Sequence, residues 1–428
     1  MTASLFSGFI KFKKGSFAAD VITLFKGNFT VHLLTIAVSP ILSRFYMREQ
    51  FGAYGLYLSI CTIYGGLASW QYFQAIMLPA EDEEAIHVVV LSEIVLAGMS
   101  LVSLLLIFFW NHQIAEIFNV PMLGQWLWLI PLSVLFIGIN DVLNCWFSRK
   151  KNFSFLVSTR IANSATQNGI KTLLGFLKFL KSGGLILGLL TGQLIEAIIL
   201  IKKFWRNNKD LFLISLNPAT LKKAAKRYSK FPKYQSWAVL LNRLSTHMPI
   251  ILLGYFFSPA VVGQYFLSHR ILGIPISIFG RSVAGVFFQR LSAYATDNTD
   301  SRVFLFKTFL GLIAIGIIPL LIIGLFGPRL FSFIFGEIWF EAGQYVQILS
   351  PFYFLMFIVS PLSTALIVSE KQEFILMIQL LFLTLSFISL MIGGLSGSVK
   401  LALTLFSIGG SLRYLFELLL CFRFSQVQ

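Results

Sequence analysis

The chain has 428 residues, 57% hydrophobic and only 12% charged, with a mean hydropathy of +0.80. That composition excludes a soluble globular domain and places the chain in a lipid bilayer. The net charge of +16 would suggest nucleic acid in a soluble protein, but its placement in the loops explains most of it, and no nucleic-acid partner is expected.

The first segment, 1–20, carries Lys11, Lys13 and Lys14 but lacks the apolar core and small-residue cleavage site of a signal peptide. It reads as a basic cytoplasmic cap before an uncleaved first helix. Apolar runs of about 20 residues or more then follow one another, the length that crosses ~30 Å of hydrocarbon as a helix. Runs such as Val88–Trp110 and Phe374–Gly393 are continuously apolar and do not alternate over short strands, so a helical bundle is expected and not a barrel. Twelve helices are expected, at roughly 19–43, 49–78, 86–110, 122–147, 155–178, 184–205, 231–257, 261–289, 303–327, 343–369, 373–394 and 399–423. The loops are short except for the basic stretch Arg206–Lys230. The division is therefore an N-terminal six-helix bundle over 1–208, a basic cytoplasmic linker over 209–230 and a C-terminal six-helix bundle over 231–428. With the N-terminus inside, most of the 34 lysines and arginines fall in the cytoplasm, which is the positive-inside pattern for two cytoplasmic termini.

The two halves repeat. Phe51-Gly52-Ala53-Tyr54 corresponds to Val262-Gly263-Gln264-Tyr265, and Gly124-Gln125-Trp126 corresponds to Gly343-Gln344-Tyr345. Ser148 to Phe153 aligns in the same way with Ser369 to Phe374. Six helices per half is an even number, so both copies enter from one side. The expected architecture is an all-α integral membrane protein of twelve transmembrane helices in two pseudo-symmetric six-helix bundles, with substrate between them near the midplane.

Seven cations lie inside the spans: Lys26, Arg160, Lys171, Arg243, Arg270, Arg281 and Arg413. A cation at the bilayer centre costs roughly 2.5–3.5 kcal/mol on insertion scales, so it faces a polar cavity or a partner. Arg160, Ser164, Gln167 and Lys171 share one face of helix 5, Arg270, Ser277 and Arg281 repeat that spacing in helix 8, and Arg243 and His247 stand one turn apart in helix 7. Arg160, close to the cytoplasmic end, can also snorkel into the headgroups. Acids at comparable depth are few. Arg413 pairs by spacing with Glu417, Asp141 and Glu196 either pair with cavity cations or carry a coupling ion, and Glu81 to Glu84 read as a solvated turn or helix cap. The excess of cations asks for an anionic substrate. The candidate binding set is Lys26, Arg160, Lys171, Arg243, His247, Arg270 and Arg281, with Asp141 and Glu196 as candidate ion-coupling residues.

No phosphate-binding loop, zinc-protease motif or Cys/His cluster is present, and Cys61, Cys145 and Cys421 fall inside helices without metal or disulfide spacing. No catalytic residue, metal or cofactor is expected.

Ser39-Pro40-Ile41-Leu42-Ser43-Arg44-Phe45-Tyr46, Glu49 to Tyr54, Ala75 to Pro79 and Asp82 to Ala85 resemble the opening of bacterial polysaccharide-biosynthesis flippases. Phe231 to Tyr234, Leu241-Asn242, Val262 to Tyr265 and Val286 to Arg290 continue the pattern in order. The chain resembles the oligosaccharide flippase (O-antigen) branch of the multidrug, oligosaccharidyl-lipid and polysaccharide exporter superfamily, over nearly its full length. It departs at Gln71-Tyr72-Phe73, where relatives often carry Arg-Tyr-Glu. The resemblance implies a V-shaped alternating-access transporter and not an enzyme, in a bacterial inner membrane. It also implies a substrate, an oligosaccharide on undecaprenyl pyrophosphate, flipped for O-antigen (lipopolysaccharide), capsule or exopolysaccharide assembly. Membrane lipids and other polysaccharide assembly proteins are the implied partners. Two rivals predict different features. A cation-coupled drug exporter on this fold needs a cavity of carboxylates and aromatics, and a membrane glycan polymerase or ligase needs an extended periplasmic loop with essential arginines or acids.

Overall fold

The computed structural model describes residues 17–118, 120–178, 180–296, 302–369 and 371–424, and among these every regular element is helical. In the first half the helices are α1 (Phe17–Phe45), α2 (Arg48–Gly65), α3 (Asp82–Ile117), α4 (Pro121–Leu127), α5 (Ile130–Arg149), α6 (Phe153–Phe176) and α7 (Gly183–Ile214). A short amphipathic helix, α8 (Pro218–Arg227), leads to the second half. There the helices are α9 (Ser236–Phe256), α10 (Pro259–Thr296), α11 (Arg302–Phe335), α12 (Phe340–Leu362), α13 (Thr364–Val368), α14 (Gln372–Leu395) and α15 (Val399–Phe424).

With α4–α5 and α12–α13 each taken as one interrupted helix, the described helices are consistent with the twelve expected spans. Seven candidate spans are long and apolar enough to cross a membrane by length and composition alone: α3, α5, α7, α11, α12 with α13, α14 and α15. The other five long helices are α1, α2, α6, α9 and α10. Within the first half α6 packs on α1 and α7, and α5 packs on α3 and α7. Within the second half α12 packs on α10, α11 and α15, and α14 packs on α9 and α15. The halves are joined chiefly by α2 against α10 and α9, with α1 against α10 and α11.

Two segments differ from the sequence expectation. The stretch expected as one helix over 49–78 stops at Gly65, and Gln71 takes a left-handed backbone (φ 58°) before a 3₁₀ turn over Tyr72–Met77. The Gln71 amide donates to Gly66 O at 2.6 Å, so the side chain satisfies a carbonyl that the broken helix leaves free. The basic stretch Arg206–Lys230 is helical and not a loop: α7 runs on to Ile214, and Asn217 caps α8 through a 2.9 Å bond from Ala219 N. Helix α8 is docked. Its Arg227 pairs with Glu84 on α3, while Arg149 bonds Asp82 (3.1 Å), Pro79 O (2.6 Å) and Ala80 O (3.1 Å). The acidic segment, read as a solvated turn or helix cap, opens α3 at Glu81 and also anchors the linker and the end of α5.

The end of the molecule away from the termini is closed across the halves. At Gly52 an added Cβ would lie 1.9 Å from Pro259 O, and at Gly263 one would lie 1.8 Å from Arg48 O. Only glycine permits this approach of α2 to α10. Around it Ser43 Oγ donates to Phe335 O (3.0 Å), Trp339 Nε1 donates to Ser43 O (3.0 Å), and Phe51 meets the Trp339 ring edge-on at 5.0 Å.

Candidate functional site

Beneath this closure lies the most deeply buried lysine among the described residues. Lys171 on α6 is 0% exposed. Its Nζ donates to Tyr54 Oη on α2 at 2.9 Å and to Gln167 Oε1 one turn back at 2.6 Å, and it sits 4.7 Å from the Tyr54 ring centroid. The backbone is fixed as well, since Tyr46 Oη donates to Lys171 O at 2.8 Å. No carboxylate pairs with this amine among the described residues. Instead its electrostatic neighbour is a second cation, Arg270 on α10, which also acts on Tyr54. Arg270 makes no hydrogen bond or ion pair with any described residue. Two turns of α10, about 10 Å of rise, separate it from Gly263. Lys171 and Arg270 therefore lie within electrostatic range of one another across the two halves, with Tyr54 bonded to the first and in range of the second. Such a cluster is costly when empty and favourable around a divalent anion, because each cation otherwise lacks a counter-charge.

Toward the termini a cavity of about 220 Å³ is lined by Asn28, His32, Thr35, Arg160, Ser164 and Gln167. Arg160 donates to Asn28 Oδ1 at 3.2 Å. Arg160 thus joins Lys171 on one α6 face, as the spacing implied. Arg243 on α9 acts electrostatically on Asp141 of α5, as Arg160 does, so Asp141 stands between a cation from each half. His247 bonds Ser59 Oγ on α2 at 3.0 Å, which gives it a packing partner at the seam. Lys26 is exposed on α1, apart from Lys171 and Arg270. The side chain of Arg281 lies outside the described residues.

Glu196 on α7 has a different environment. Its carboxylate accepts from Asn144 Nδ2 (3.3 Å) and Asn163 Nδ2 (2.5 Å), and no basic side chain bonds it among the described residues. Close by, Asn140 Nδ2 donates to Gln193 O at 3.2 Å. The Oδ1 atoms of Asn140 and Asn144 and the Oε1 of Gln193 are buried without a hydrogen-bond partner among the described residues. Sequence reading did not single out these amides or Tyr54. Uncharged amides and tyrosines inside helices are common hydrogen-bonding residues, and only their convergence distinguishes them. A polar stripe shared by α5, α6 and α7 was the available signal. Among the described residues no group of three His, Cys, Asp or Glu residues could hold a metal ion.

The fold is that of known transporters. The chain is similar to the lipid II flippase MurJ in an inward closed conformation, with TM-score 0.71 and 15% identity over 94% of this chain and 87% of that one. It is also similar to a MATE family multidrug resistance transporter of the MOP superfamily in an inward-facing conformation, with TM-score 0.65 and 14% identity over 93% and 95% of the two chains. A third likeness, TM-score 0.56 at 15% identity over 96% of each chain, is to a MOP superfamily transporter from Pyrococcus furiosus whose description reads that reverse polarity of its binding pocket suggests a different function. No curated protein sequence matches the chain. The model of one family, described as polysaccharide biosynthesis protein, matches residues 41–344, a stretch that contains the α2–α10 closure, Lys171, Glu196, Arg243 and Arg270. The chain belongs to that polysaccharide biosynthesis protein family.

Proposed function

We propose that the protein is a flippase that moves an oligosaccharide linked to undecaprenyl pyrophosphate across the bacterial inner membrane for O-antigen, capsule or exopolysaccharide assembly. The observation that carries this reading is the Lys171–Arg270 pair, a buried and a half-buried cation contributed by opposite halves and matched by no carboxylate among the described residues. A pyrophosphate between them supplies the missing charge, with the guanidinium suited to forked phosphate contacts and the ammonium to a point contact. A neutral or cationic drug leaves both charges uncompensated. The family match and the MurJ-like fold support the same choice, since MurJ is described as a lipid II flippase.

The mechanism follows from which helices carry the pair. Lys171 belongs to the first half and Arg270 to the second, so an anion held by both links closure of the halves to occupancy of the cleft. With both termini in the cytoplasm, the glycine contact of α2 and α10 closes the periplasmic side, and the polar cavity at Arg160 lies on the cytoplasmic side. Substrate enters past Arg160, is held at Lys171 and Arg270, and leaves when α2 and α10 part. Uncompensated repulsion between the two cations then favours return. Lys26, Arg243, His247 and Arg281 remain assigned to the glycan-facing cleft. Asp141 tempers Arg243 and Arg160, and Glu196 with its ring of amide oxygens is assigned to the coupling cation.

The test is translocation in liposomes of a fluorescent polyprenyl-pyrophosphate-linked oligosaccharide, beside an organic-cation dye. Glycolipid transfer that Lys171→Met abolishes is the expected result. Dye efflux without glycolipid transfer removes the substrate assignment.

A further inference from the structure

Inside the second half lies a cavity of about 280 Å³ that the cation pair does not use. Its walls are aromatic: Tyr265, Phe352, Tyr353, Phe382, Phe406 and Tyr414. The Phe352 and Phe382 rings are stacked at 5.9 Å, and the guanidinium of Arg413 lies 4.0 Å from the Tyr414 centroid and 5.3 Å from that of Phe382. Set into these walls are hydrogen-bonding groups, from Asn242 on α9, His269 on α10, Gln379 on α14 and Arg413 on α15. His269 is engaged with the Tyr353 hydroxyl. The side-chain amides of Asn242 and Gln379 make no hydrogen bond with any described residue, and Arg413 Nε is buried without a partner.

Charge decides what this cavity is not. Arg413 pairs with Glu417 at 3.1 Å, so the site is balanced and has no free charge for an anion or a cation. An apolar occupant, such as a lipid chain, would leave Arg413 Nε stranded, at a cost of roughly 1–3 kcal/mol for a buried polar group, and would offer no partner to the half-buried Gln379 amide or to Asn242 at the mouth. A ligand with a flat apolar face and a rim of hydroxyls satisfies both parts of the lining. That is a sugar ring. Position adds to this argument, because His269, on the cavity wall, directly precedes Arg270 of the cation pair, and their Cα atoms are about 3.8 Å apart. The aromatic cavity and the anion site therefore flank the same turn of α10.

We infer that this cavity is a monosaccharide subsite, which receives the sugar bonded directly to the pyrophosphate while Lys171 and Arg270 hold the phosphates. The inference rests on the flippase reading and adds to it the place where the glycan is recognised. Selectivity for the first sugar then resides in Asn242, Gln379 and Tyr414, and the rest of the glycan extends into the cleft through the mouth at Asn242 and Thr246, both of which are exposed.

Two probes separate the two sites in purified full-length protein in nanodiscs: farnesyl pyrophosphate, and the same lipid carrying one N-acetylhexosamine on the terminal phosphate. The expected result is that the sugar-bearing probe binds about tenfold tighter or more, an advantage of two hydrogen bonds and one stacked ring. Gln379→Ala and Asn242→Ala erase most of that ratio and leave the affinity for farnesyl pyrophosphate unchanged, which also serves as the check that each variant is folded. Equal binding of the two probes by the wild type, or a ratio that survives both substitutions, overturns the subsite. In that case binding that remains sensitive to Lys171→Met leaves the anion site standing. If the folded wild type binds neither probe, the subsite and the flippase reading fall together.

Discussion

Gly52 and Gly263 occupy the same position in the two halves and touch each other's helices in the same way. A Cβ on Gly52 would strike the carbonyl of Pro259, one on Gly263 would strike the carbonyl of Arg48, and the amide of each glycine is the other's near neighbour. Arg48 and Pro259 are themselves equivalent in the repeat, at the same offset as the glycines. The contact is a local two-fold, the geometry expected where two copies of one ancestral unit meet about an axis along the membrane normal.

Adding a single methyl group here holds the outer side apart. In Gly52→Ala and Gly263→Ala the helices must separate, at a cost of about 1–3 kcal/mol for an overpacked contact. A membrane-impermeant maleimide should then label a cysteine placed at Ser43 several-fold faster than in the parent, with transport reduced and insertion normal. Unchanged labelling in both variants would show that the glycine contact does not close the cleft.

Removing the buried amine exchanges function for stability. Lys171→Met keeps an unbranched side chain one atom shorter and removes an uncompensated charge, a change worth about 1–4 kcal/mol in buried ionic clusters. Thermal unfolding in detergent should move upward by several degrees while glycolipid transfer falls by about two orders of magnitude. A variant that loses both stability and transport would recast Lys171 as a structural residue held by Tyr54 and Gln167.

Arg243 and Asp141 are predicted to be coupled. Arg243→Ala leaves Asp141 with Arg160 as its one cationic neighbour and Glu196 as a like charge, and Asp141→Asn leaves Arg243 without its acid. In a double-mutant cycle on transport rate the coupling should be about 0.5–3 kcal/mol, so the double variant is more active than the product of the single effects. Additive losses would separate the two residues.

Glu196 tests the driving force. Its only polar partners among the described residues are the amides of Asn144 and Asn163, which Gln accommodates after flipping. Glu196→Gln should preserve equilibration of labelled glycolipid between leaflets and abolish its accumulation against a gradient under an imposed sodium or proton gradient. Full gradient-driven accumulation in the variant would remove Glu196 from coupling.

Seven spans were legible because long apolar runs state their own length, and the repeat was readable because three short matches recur in the same order in both halves. The break after Gly65 was not, since Leu67, Ala68 and Trp70 continue the apolar pattern while the Gln71 amide stabilises the turn from outside the run. The linker helix was hidden for the opposite reason, its charges reading as loop until Arg227 finds Glu84. At the site, spacing along α6 placed Arg160, Gln167 and Lys171 on one face. Tyr54, 117 positions away, could not be matched to Lys171 because nothing in a single sequence fixes the register of one helix against another.

The interruption in α2 has a mechanical consequence. An unbroken rod pivoting at Gly52 would sweep its far end through the opposite surface, where Arg149 fastens the loop carrying Pro79 and Ala80. The left-handed residue at Gln71 divides that rod into two levers joined by a swivel. The outer lever can tilt away from α10 while the inner one stays moored to α5, so one rim opens without tearing the other.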